Sequence, residues 1–148
     1  MFKLVKIMGS GSNQPEPIKL TVNKENNLHA GCLYYIDKHS IITYYDNWYA
    51  PLVCAMQDTN VGDEEVEALC FLVTPEMIFE AKVANHSNNV ATGAPFGVMN
   101  GYDDEINTIT TNVGSGDDTM GIIVNADSYQ STGKVLVRFH CTKGDREW

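Results

Sequence analysis

Met77-Ile78-Phe79-Glu80-Ala81-Lys82-Val83 is the stretch whose reading settles the fold class. Met77, Phe79, Ala81 and Val83 stand at every second position, and Glu80 and Lys82 fall between them. In an extended chain successive side chains point to opposite faces, so this spacing makes one apolar face and one charged face. The residues just before it offer a rival. Thr74-Pro75-Glu76 could cap and start a helix. No apolar stripe of period 3.6 follows, so the alternation decides for a half-buried strand.

Working outward, the same kind of segment recurs on both sides. Short runs rich in Val, Ile, Tyr and Phe stand between turn residues at 2–7, 18–22, 33–36, 41–45, 52–56 and 67–73. Beyond 84 the chain is rich in Asn, Gly and Asp, and strands are expected at 96–99, 106–111, 121–124 and 134–141. About ten short strands and no long helix give an all-β class. The expected architecture is a single compact β-sandwich or partly open β-barrel with an extended N-terminal arm. Residues 1–22 are read as a first strand and arm, because Pro15 and Pro17 force an extended path after GSGSN. Residues 23–141 form the β domain, and 142–148 a polar C-terminal tail.

Ser131-Thr132-Gly133-Lys134 looks at first like a phosphate-binding loop. That motif needs a glycine at 128, where Ser128 stands, and a hydroxyl residue after the lysine, where Val135 stands. The run VLVRF behind it is β-forming and supplies no helix N-terminus for a phosphate. A turn feeding a strand remains. Val135, Val137 and Phe139 should face one side and Leu136, Arg138 and His140 the other, which suggests a strand buried near the middle of a sheet.

Composition narrows the function. The chain has 148 residues and a formal net charge of -9. Its ten Lys and Arg are scattered along the sequence, so a nucleic acid is not an expected partner. No run of 18 apolar residues crosses a membrane. Cys32, Cys54, Cys70 and Cys141 sit in apolar or aromatic company without a CxxC pair, and read as buried free thiols of a reducing cytoplasm. The four histidines belong to no metal-binding motif, and no serine sits in a nucleophile elbow. A calcium loop starting at Asp103 would need a glycine where Thr108 stands. Neither a catalytic set, a metal site nor a cofactor is therefore expected. Asp63-Glu64-Glu65, Asp103-Asp104-Glu105 and Asp117-Asp118 read as solvated turns.

Six aromatic residues, Tyr34, Tyr35, Tyr44, Tyr45, Trp48 and Tyr49, fall within 16 residues. Neighbours on a strand point to opposite faces, so one tyrosine of each pair should fill the core and the other lie near the surface. Such a cluster packs in the core and across strands, or, where its rings are exposed, marks a protein interface or a sugar-stacking platform.

Three segments together resemble a group of small tailed-phage head proteins. They are MFKLVKIMGSGSNQPEPIKLTV at the start, CAMQDTN…EALCFLVTPEMIFEAKV in the middle and GKVLVRF near the end. They lie in the same order and span most of the chain. The resemblance departs at 85–119 and at the tyrosine-rich 34–49. It implies a capsid decoration (auxiliary or cement) protein, made in the bacterial host cytoplasm and carried on the virion's capsid surface. Its implied partners are the major capsid protein and other copies of itself, as monomer or homotrimer. On that reading Phe2, Leu4, Pro15 and Pro17 of the arm, with Tyr44, Tyr45, Trp48 and Tyr49, make the contacts. The arm could be laid on a neighbour or added to its sheet, and deleting 1–17 should leave the β core folded. The alternative is a carbohydrate-binding β-sandwich that uses the Tyr/Trp cluster.

Overall fold

The computed structural model describes residues 1–22, 27–37, 40–42, 52–62, 64–85, 87–100, 105–113 and 119–140. The elements are β1 (Phe2–Ile7), β2 (Ile18–Val22), β3 (Leu33–Asp37), β4 (Ser40–Ile42), β5 (Leu52–Ala55), β6 (Val66–Leu72), β7 (Met77–Lys82), β8 (Pro95–Asn100), β9 (Ile106–Thr110), β10 (Gly121–Asn125), α1 (Tyr129–Thr132) and β11 (Lys134–Phe139). The protein is all-β, and among the described residues no helix is long and apolar enough to cross a membrane. MIFEAK is a strand, so the helical rival at Thr74-Pro75-Glu76 is a turn instead.

The strands follow the order β1-β7-β11-β10-β8-β9-β3-β4-β2-β6-β5, with a further pairing of β3 to β5. All named strand pairs are antiparallel except β2 with β4. The extra pairing makes the order return on itself through β3, β4, β2, β6 and β5. The sheet as a whole does not close into one barrel, because β9, β8, β10, β11, β7 and β1 branch away from β3 and lie against this ring.

Side-chain alternation then divides the interior into two cores. Inside the ring, Val22, Tyr34, Val53, Ala55, Ala68 and Cys70 pack together with Leu28, Cys32 and Val61. The opposite faces of β3, β5 and β6 present Leu33, Tyr35, Leu52, Cys54 and Phe71 to a second, larger core. That core takes Met77, Phe79 and Ala81 from β7, Val135, Val137 and Phe139 from β11, and Phe96 and Ile123 from β8 and β10. All five phenylalanines of the chain belong to it. Phe139 is the hub, with ring centroids 5.7 Å from Phe2, 5.8 Å from Phe79 and 5.2 Å from Phe96 in edge-on packing, the arrangement favoured by aromatic quadrupoles.

Two expectations need correcting. Tyr34 and Tyr35 are both buried, at 1% and 2% exposure, because β3 has a core on each side and leaves no surface face for either ring. β11 does lie within the sheet, between β7 and β10, yet only one of its faces is buried. Leu136 and Arg138 are half-buried on the other.

Candidate functional site at the N-terminal edge

β1 pairs with β7 alone among the described strands, so it is the edge of the sheet. An open edge would be a template for another strand, and proteins usually blunt it. Here the register shifts between Leu4 and Lys6, which leaves Val5 in a bulge, and Lys3 and Lys6 are exposed. Both ends of the edge are also occupied. The Phe2 N–H donates to the Gly31 carbonyl at 2.7 Å, and the Ile7 N–H donates to Asn13 Oδ1 at 3.3 Å. The Met1 ammonium donates to the Asn107 carbonyl at 3.0 Å.

The segment 8–17 bridges the two parts of the fold. It leaves the edge strand through a turn with Gly9 at φ +75° and enters the ring at β2. Ser12 N–H donates to Ser10 Oγ and Gln14 N–H to Ser12 Oγ, so short side chains satisfy its backbone locally. Most of this segment is exposed.

These facts change the reading of the arm. Phe2 is 4% exposed and lies in the aromatic core, so its ring is a fold contact and not a surface one. Leu4 is half-buried against the same core. Residues 1–22 are not a detachable arm, since β1 and β2 are strands of the sheet and only 8–17 is a strap held at both ends. Pro15 is half-buried and Pro17 exposed on that strap. Tyr44, Tyr45, Trp48 and Tyr49 lie outside the described residues, as does the tail 142–148. The structure therefore brings Phe2 and Leu4 together but does not join them to Pro15 and Pro17 in one site.

A second cluster has no signature in the sequence. Glu105, grouped with the solvated acids, is only 8% exposed. Its Oε2 lies 3.4 Å from His29 Nε2, close enough for an ion pair, though without hydrogen-bond geometry. The signal was absent from the sequence because the partner is 76 positions away. The Cys32 thiol is close to the same carboxylate, and the Tyr34 hydroxyl accepts the His29 N–H at 2.7 Å.

Cysteine, histidine and glutamate together resemble a nucleophilic set, but the electrostatics oppose it. A reactive cysteine needs its thiolate stabilised by a cation or a dipole. Burial, and next the Glu105 charge, push the Cys32 thiol up to about 11. Burial also drives Cys54 and Cys70 up to about 12, and the Tyr34 phenol well above its ordinary range. All three thiols are protonated near neutral pH. Among the described residues, no group of three or more His, Cys, Asp or Glu could hold a metal ion. The arrangement ties the 27–32 turn to the start of β9.

No family model, curated protein or solved structure matches this chain.

Proposed function

We propose that the chain is a phage capsid decoration protein that binds the outer surface of the major capsid protein lattice and stabilises the head without chemistry. One observation supports this reading most. The three segments that resemble phage head proteins are far apart in sequence but contiguous in space. β1, β7 and β11, one from each segment, are successive neighbours in the sheet. β2, β6 and β5, from the first two, are successive neighbours in the ring.

The physical requirements agree with the reading. A lattice cement has to be rigid and to act through many weak contacts at once. The Phe core supplies rigidity, and the strap 8–17, anchored by β1 and β2 at its ends, supplies exposed backbone and side chains for contact. Protein analysis of purified particles from cells infected with the virus that encodes this chain tests the reading. The expected result is the chain on mature heads in a fixed ratio to the major capsid protein. Heads that lack it would refute the proposal.

A further inference from the structure

The basic residues look scattered along the sequence, but the fold gathers half of them. Pairing places Lys3 of β1 opposite Glu80 of β7, and Lys82 of β7 opposite Lys134 of β11. Lys6 pairs with Ile78 on the same side, and Arg138 with Ile122 of β10. The opposite side of these strands is the phenylalanine core, so Lys3, Lys6, Lys82, Lys134 and Arg138 share the outer face. Five of the chain's ten cationic side chains thus lie on one sheet face, in a protein with 19 acidic residues. Glu80 is the one acid within those three strands, and Glu76 stands at the entry to β7.

Ile78 and Leu136 are half-exposed between the cations, and Ile122 is half-exposed beside Arg138 on the neighbouring β10. Arg138 is held in place by donating from Nε to the Pro75 carbonyl at 2.9 Å. Lys134 and Glu80 are 3.5 Å apart, the lysine exposed and the glutamate partly so, a pairing that solvent screens and that a partner can exchange.

We propose that the outer face of β1, β7 and β11 is a docking surface for an acidic protein surface. Charge complementarity selects the occupant. A cationic rim around half-exposed aliphatic side chains is the composition of a protein interface. Duplex DNA or RNA fits less well, because most cations are lysines, no described aromatic side chain stands on the face to stack with bases, and the rest of the chain is acidic. A lipid surface fits less well because the large apolar side chains on this face within β7 and β11, Ile78 and Leu136, are only half-exposed, and the exposed Met1 and Met8 stand beyond the ends of β1. The inference holds independently of the capsid reading.

Poly-L-glutamate is the probe. Its binding to the full chain is followed by amide shifts at about 0.02 M and about 0.3 M salt, a range over which exposed charges become screened. Shifts should concentrate in 2–7, 77–82 and 134–139 and fade at the higher salt. Lys82→Glu and Lys19→Glu change net charge equally, both at exposed positions. Lys82→Glu should weaken binding roughly fivefold or more, and Lys19→Glu, which lies on β2, less than about twofold. Absence of binding, shifts confined to other strands or equal effects of the two variants would overturn the proposal. So would tighter binding of duplex DNA or of anionic vesicles to this face, or sedimentation showing that a second copy covers it.

Discussion

At the residue scale the sharpest constraint is Gly121. It pairs across the sheet with Phe96 on one side and Phe139 on the other, and the Phe96 ring lies over it. A Cβ there would fall on the Arg138 carbonyl oxygen and stand 2.8 Å from the Phe96 ring. Neither neighbour is a flexible chain end. Gly121→Ala should therefore lower stability by about 2 kcal/mol or more, the scale of core overpacking, as a drop in the urea midpoint at unchanged slope. Cys32, Cys54 and Cys70 give a second expectation at this scale. Their ordinary value is 9.0, and the fold raises it to between about 11 and about 12. Above pH 9 the unfolded chain loses these protons while the native chain keeps them, so the unfolded state gains. Stability should be unaffected by the thiols below pH 9 and fall as pH rises from there toward 12. Urea midpoints at about pH 8 and about pH 10.5 measure the fall, and Cys54→Ala should make it shallower. The burial of these cysteines was legible from their apolar neighbours. Glu105 was not, because nothing local distinguishes an acid in a turn from an acid against a distant histidine.

At the scale of the element, alternation carried most of the information. The expected segments 2–7 and 18–22 coincide with β1 and β2, and MIFEAK is β7 as its period of two requires. α1 was not legible. Four residues are too few for a periodic signal, and the helix is closed by Gly133 at φ 70°, a residue that by itself signals only a turn. The role of β1 was misread for a different reason. A short amphipathic strand followed by prolines looks the same whether it packs or projects, and only the ring of Phe2 against Phe79 and Phe139 decides. Removing residues 1–8 deletes that ring and opens the edge of β7. Loss of a core Phe alone costs about 3–5 kcal/mol. The truncated chain should melt well below the full one and aggregate on heating, as thermal unfolding with light scattering would record. A truncation with unchanged melting would mean that β1 is dispensable.

At the scale of the molecule the all-β class could be read from strand count and turn spacing, but the two-core plan could not. Whether a strand is covered on one face or on both depends on what packs behind it. The tyrosines show the difficulty: Tyr34 and Tyr35 occupy opposite faces as alternation requires, and both are buried. The gathered cations show it again, since Lys3, Lys82 and Lys134 become neighbours only through the order β1-β7-β11.

β5 joins the two cores, with Val53 and Ala55 turned into the ring and Leu52 and Cys54 turned toward the phenylalanines. This placement has a consequence for how the sequence can vary. In a saturation scan scored by folded yield, β7 should show a comb, with Met77, Phe79 and Ala81 intolerant and Ile78, Glu80 and Lys82 permissive. Across 52–55 the comb should disappear into an unbroken block that refuses polar side chains at odd and even positions alike. Four adjacent residues without a permissive site would make this short strand, like the buried run 32–35 that opens β3, slow to diverge, although it supplies none of the proposed contact surface.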